Sequence, residues 1–119
     1  MIRIIVRAKD AGAAAHVGGP VDVTVDSVAA DSLGARNVGP LVHGICARTV
    51  ERVVLVPDEA ITEAQKRLWR EMRIAAEPGG AAALAALIAG SYGPAKGERI
   101  GVLVCGGNVD LAKLAAITG

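Results

Sequence analysis

Cys105-Gly-Gly-Asn108 is the stretch of this chain best equipped for chemistry, a thiol followed by two glycines and an amide. A thiol donates or accepts a hydrogen bond, and its ionised form is a nucleophile. Glycines let backbone come close to a ligand, and Asn108 or Asp110 can cap a helix that follows. The five residues from Ile100 to Val104, apolar but for one glycine, read as a buried central strand. The apolar spacing from Val109 to Ile117 reads as a short helix. Ligands of α/β sheets sit at the carboxyl ends of strands, so Cys105, Gly106 and Gly107 are expected at a prepared edge. Two plainer readings stand beside this one: Cys105 as a small buried residue, and the glycine pair as a tight turn.

The elements that must position this edge follow from the rest of the sequence. Ile2 to Val6 is β-branched and reads as a strand, with Arg3 and Arg7 at its margins. Residues 10–16 can form a helical turn or two before Gly18-Gly19-Pro20 stops it. Val21 to Val25 alternates as a half-exposed strand would, and residues 26–37 are rich in turn formers. Val38, Leu41, Val42, Ile45 and Thr49 have helical spacing, with Cys46 beside that face. Val53 to Val56 reads as a second buried strand. The clearest amphipathic helix follows Pro57, with Asp58 and Glu59 in its first turn and an apolar stripe of Ile61, Ala64, Leu68, Met72 and Ala75. Glu63, Arg67 and Glu71 are spaced for exposed ion pairs. Glu77-Pro-Gly-Gly80 is expected to break the helix. Ala81 to Ala89 is apolar all round, as in a helix buried on a sheet, and Gly90 is its stop. This alternation implies one α/β layered domain over residues 1–119, with a mainly parallel sheet flanked by helices.

Composition excludes several classes. The net charge is +1, with 13 Lys and Arg against 12 Asp and Glu, spread rather than clustered, so nucleic acid is not an expected partner. No apolar run is long enough for a membrane span, and the N-terminus lacks a signal-peptide pattern, which together lead to a cytoplasmic expectation. Cys46, Cys105, His16 and His43 have no metal-type spacing.

Four segments in combination, Ala29-Ala-Asp-Ser-Leu33, Arg52 to Met72, Glu77 to Leu87 and Val102 to Leu111, resemble the C-terminal third of the threonine/serine dehydratases. Those enzymes depend on pyridoxal phosphate (PLP) and have fold type II. The resemblance covers residues 20–111, and residues 1–19 diverge from it. It implies that Cys105, where the family has serine or cysteine, hydrogen-bonds the pyridine nitrogen of PLP as a neutral thiol. Glu77 and Ser32 are implied near the cofactor beside Gly106 and Gly107, although the family usually has glycine in place of Ser32. The family's Schiff-base lysine, in a Ser-x-Lys-x-Arg-Gly context, has no match here, nor do its phosphate loop and its substrate-carboxylate loop. Lys9, Lys66, Lys96 and Lys113 stand in contexts expected of solvated positions. The Val-x-Val-Glu-Pro pattern is also missing, so the family's carboxylate-lined cation site is not carried over.

Three functional expectations result. The chain is the C-terminal piece of a PLP-dependent dehydratase, inactive alone and completed by a separate N-terminal segment. Alternatively it is a non-catalytic module that self-associates through uncovered strand edges and apolar surface, which makes a homo-oligomer expected. The third reading, Cys105 as a nucleophile in new chemistry, needs a base that neither His16 nor His43 supplies from sequence.

Overall fold

The computed structural model describes residues 4–8, 20, 22, 24–50 and 52–119, the first five through their backbone alone. Two strands, β1 (Ile4–Ala8) and β2 (Arg52–Val56), pair in parallel, in register from Ile4 with Arg52 to Ala8 with Val56. A parallel pair needs a long crossover, and here it carries α1 (Ala30–Leu33) and α2 (Gly39–Thr49). Of the strand expected over residues 2–6, Ile4 to Val6 lie in β1, which continues to Ala8, and residues 2 and 3 lie outside the described residues. The helical turn expected over residues 10–16 lies outside the described residues, as do Lys9, His16 and part of the strand expected over 21–25, whose residues 22, 24 and 25 are not in a strand.

β2 is buried on one face rather than two. Val54 and Val56 are buried while Arg52 and Leu55 are exposed, the period-two alternation of a sheet covered on one side. The covering layer is α4 (Pro78–Ile88), which packs on both strands and on α3 (Asp58–Met72). Gly80, Ala81, Ala82, Ala85 and Ala86 are its buried residues, small enough to let α3 approach closely. Proline at the first helical position starts α4 at Pro78, three residues before the expected start, because its fixed φ suits a helix and its missing N–H would be unpaired there anyway. Gly90, at φ +67°, ends the element as expected, and the Tyr92 N–H donates to the Ala86 carbonyl at 3.0 Å.

In α3 the expected stripe holds through Ile61, Ala64 and Leu68, each fully buried, whereas Met72 is 57% exposed. Met72 sits in the last turn, where the chain reverses: Arg73 takes a left-handed conformation at φ +56°, and the Ile74 N–H donates to the Leu68 carbonyl at 3.0 Å. The Arg73 guanidinium lies 5.8 Å from the centre of the Trp69 ring. Of the expected ion pairs, Arg67 donates to Glu63 at 2.9 Å. This hydrogen bond lowers the Glu63 carboxyl below its ordinary pKa and raises the guanidinium above its own.

Two side-chain ties hold neighbouring chain onto α3. At its start, Asp58 accepts from the Ser27 hydroxyl at 2.7 Å and the Val28 N–H at 2.9 Å, which holds the chain entering α1. From its middle, the buried Gln65 amide donates to the Ala76 carbonyl at 2.8 Å and draws the segment before Glu77 back over the helix.

The expected central strand over Ile100–Val104 is corrected. Residues 100–104 lie outside the sheet, with Leu103 74% and Ile100 39% exposed, although Val104 packs on the core. A run of strand-forming residues becomes a strand only where a neighbouring backbone accepts its hydrogen bonds, and among the described residues β1 and β2 pair only with each other. Helix α5 (Leu111–Thr118) follows, its buried Leu114 facing inward. Asp110, not Asn108, caps it, accepting from the Ala112 N–H at 2.9 Å and the Lys113 N–H at 3.1 Å. Asp110→Ala is expected to cost about 1 kcal/mol, read as a lower urea midpoint at unchanged slope. Among the described residues no helix is long and apolar enough to cross a membrane. The architecture is a partial α/β layered fold in which helices cover a small parallel sheet.

Candidate functional site

The site grows from the N-terminus of α4, where Glu-Pro-Gly-Gly meets two distant parts of the chain. Glu77 precedes the helix in extended conformation (φ −69°, ψ 161°), and its side chain makes no capping hydrogen bond. Its carboxylate lies against the Cα of Gly106. A Cβ at Gly106 would overlap a carboxylate oxygen and stand 2.6 Å from the Glu77 Cγ. Gly106 also sits at φ +86°, where a side chain is strained whatever the space.

Gly80, one turn in, touches the same loop. A Cβ there would overlap the carbonyl oxygen of Cys105 and approach its carbonyl carbon to 2.9 Å. Gly79 faces the other way, toward α1. A Cβ on it would overlap the Ser32 hydroxyl and come within 2.9 Å of the Ser32 Cβ. The pair read from sequence as helix breakers is in fact a double contact surface, one glycine receiving the Cys105 turn and the other receiving Ser32.

Four of the five residues singled out by sequence, Ser32, Glu77, Cys105 and Gly106, therefore converge on one helix end. Gly107 continues the same turn, with open space where its side chain would be. The Cys105 residue is exposed and carries a free thiol, which corrects the plainer reading of it as a small buried residue. Ser32 is exposed on α1, and Glu77 is half-buried.

Beside this junction opens a cleft of about 560 Å³ between α1, α3, the start of α4 and α5. Ser32 and Glu77 line it together with Asp31, Gln65, Asn108 and Lys113, over a partly apolar wall that includes Leu114 and Ile117. Lys113 and Gln65 were not legible as site residues. Lys113 is exposed, as the sequence implied, yet Asp110 starts α5 so that its first turn faces the cleft. The signal available beforehand was the cap itself, which fixes the phase of the helix. Neither Cys105 nor a histidine lines this cleft, and among the described residues no cluster of His, Cys, Asp and Glu is arranged to hold a metal.

Gly106→Ala is expected to destabilise the fold by about 1–3 kcal/mol through its positive φ and its contact with Glu77. The double variant with Glu77→Ala should recover the part due to overlap but not the part due to backbone. Urea unfolding of the two single variants and the double variant separates these contributions.

The chain has relatives among known proteins. The family described as "Pyridoxal-phosphate dependent enzyme" matches residues 2–106. Phenylserine dehydratase of Ralstonia pickettii is 38% identical over 104 residues, 87% of this chain and 32% of that protein. L-threonine dehydratase biosynthetic IlvA of Escherichia coli strain K12 is 31% identical over 121 residues, 97% of this chain and 23% of that protein. Among solved structures, maize serine racemase superposes with a TM-score of 0.75 at 30% identity, over 97% of this chain and 36% of that one. The chain thus spans 23% to 36% of the length of these relatives. With a family match over most of its length and the α/β architecture of fold type II, the chain belongs to the pyridoxal-phosphate-dependent enzymes.

Proposed function

We propose that this chain forms the C-terminal part of a threonine/serine dehydratase unit, which eliminates water from a β-hydroxy amino acid to give a 2-oxoacid and ammonia. The observation that carries the proposal is the seating of the Cys105 carbonyl on Gly80, which brings Cys105, Glu77 and Ser32 to one helix end. The donor set there fits one edge of PLP. An exposed free thiol is suited to meet a ring nitrogen, and the open side of Gly107 leaves backbone accessible. When bound, PLP supplies the electron sink for the elimination. A neutral thiol at the nitrogen, unlike a carboxylate, does not hold that ring protonated, which tempers electron withdrawal. Glu77 holds the turn over Gly106. The hydroxymethyl group of Ser32 is accommodated because Gly79 has no side chain, so a serine fits where the family usually has glycine.

Of the described lysines, Lys66 is half-buried on α3, Lys96 is in the loop before residue 100, and Lys113 is in the cleft on a helix that Cys105 precedes. In this reading none forms the covalent link to the cofactor, and a complementary segment supplies both that lysine and the phosphate-binding loop. The test is co-production with the lysine-bearing N-terminal part of a relative, followed by assay of 2-oxoacid release from L-threonine and L-serine. Turnover is expected, with Cys105→Ala about tenfold slower and Cys105→Ser close to the parent. Absence of turnover from a complex that forms and holds PLP would overturn the proposal.

A second reading, a non-catalytic self-associating module, is favoured by the exposure of Leu41 and Leu103, at 76% and 74%. A stable oligomer indifferent to PLP supports it, and a monomer in dilute solution counts against it.

A further inference from the structure

Asp58 opens α3, where a carboxylate complements the positive end of the helix dipole. Both of its oxygens are also engaged far earlier in the chain: one accepts from the Val28 N–H at 2.9 Å and the other from the Ser27 hydroxyl at 2.7 Å. The Ser27 hydroxyl oxygen in turn accepts from the Ala29 N–H at 3.1 Å, and the Ser27 carbonyl accepts from the Ala30 N–H at 3.0 Å. A single side chain thus gathers residues 27–30 around the start of α1.

Helix α1 needs such a hold. It has four residues, none of them buried, and no side chain caps its start. So short a helix is not stable by itself, and its position is set by what it is tied to. It is tied by the buried Ala29 before it, by Leu33 against the core, and by Asp58. Position matters here because Ser32 is tightly seated. Its hydroxyl and Cβ occupy the space that a side chain on Gly79 would take. Val28, Asp31 and Ser32 also form the α1 wall of the cleft, which Asp58 does not line. A small shift of α1 would carry the Ser32 hydroxymethyl group into α4 on one side or into the cleft on the other.

We infer that Asp58 is a positioning residue for the cofactor edge: by holding Ser27 and Val28 it seats Ser32 on Gly79 and fixes the wall of the site that α1 supplies. The inference rests on the reading of the chain as part of a dehydratase unit, in which Ser32 and Glu77 stand at that edge. Asp58 acts through α1 and touches no ligand itself.

The test has two arms. In the chain alone, urea unfolding of Asp58→Ala, Gly79→Ala and the double variant measures their coupling. Gly79→Ala is strained only while Ser32 is held in place, so its midpoint loss is expected to shrink by about half or more in the Asp58→Ala background. In the complex with the lysine-bearing N-terminal part of a relative, PLP affinity is read by absorbance titration. Asp58→Ala is expected to weaken PLP binding about fivefold or more. Asp58→Asn stays within about twofold, since its amide oxygen still accepts from Val28 and its amide N–H can donate to the Ser27 oxygen. Ser32→Gly removes the group that has to be seated, so adding Asp58→Ala to it changes the affinity by less than about twofold. A loss of general stability would persist in that background. Should Asp58→Ala not fold, Ser27→Ala, which removes the hydroxyl link alone, carries the same comparisons. Additive midpoint losses of Asp58→Ala and Gly79→Ala, or parent-like PLP affinity in Asp58→Ala, overturn the inference and leave the dehydratase reading standing. A parent complex that holds no PLP overturns that reading and this inference with it.

Discussion

Gly80→Val is expected to destabilise the protein by about 3 kcal/mol, read as a drop in the urea midpoint. Glycine inside a helix is ordinarily a cost, so replacing it should help by several tenths of a kcal/mol. Here the added carbon would occupy the position of the Cys105 carbonyl oxygen. Backbone faces backbone at this point, on α4 and on the turn before α5, and neither yields as the tip of a flexible side chain would. The branched side chain adds two further carbons to the same contact with the Cys105 backbone. Gly44→Ala gives the contrasting sign. It lies within α2, where a Cβ would meet only an Arg48 guanidinium nitrogen at 3.7 Å, and it is expected to stabilise by about 0.5–1 kcal/mol. A Gly80→Val protein as stable as the parent would mean that the Cys105 turn does not rest on α4.

Leu68→Ala is expected to cost about 3 kcal/mol. Leu68 is among the largest fully buried side chains, and it lies where α3 packs on the alanine face of α4. Truncation removes its transfer free energy and leaves a cavity that the small neighbouring side chains cannot fill. Its carbonyl also accepts the Ile74 N–H that closes the helix, but that bond belongs to the backbone and survives the substitution. Met72→Ala, one turn later and 57% exposed, should stay within about 0.5 kcal/mol. Equal losses at the two positions would show that the apolar stripe extends to Met72 after all.

The contrast between these residues shows what the sequence carried. The α3 stripe was legible because period and composition agree, and Ile61, Ala64 and Leu68 lie where periodicity placed them. Its end was not, since Arg73 rather than a glycine takes the left-handed position, at φ +56°. The start of α4 was misplaced because Pro78 can break a helix or begin one, and only the preceding chain direction decides. Ile100–Val104 has strand composition, but composition does not supply a neighbouring backbone. The convergence of Ser32, Glu77 and Cys105 came from resemblance alone. Its physical basis, the missing side chains of Gly79 and Gly80, became visible only once α1 and the Cys105 turn were placed around them. Lys113 entered the cleft through the Asp110 cap, which the sequence offered as one of two choices.

In the function proposed above, this chain contributes the Cys105 edge of a PLP site and takes its covalent anchor from elsewhere. The most direct measurement is a PLP titration of the purified chain followed by borohydride reduction, peptide mapping, and assay of 2-oxoacid release with L-threonine and L-serine. No stoichiometric reduced adduct on any one lysine and no product are expected from the chain alone, with both gained on adding the lysine-bearing segment. A stoichiometric adduct on Lys9, Lys66, Lys96 or Lys113, with turnover by the chain alone, would contradict it.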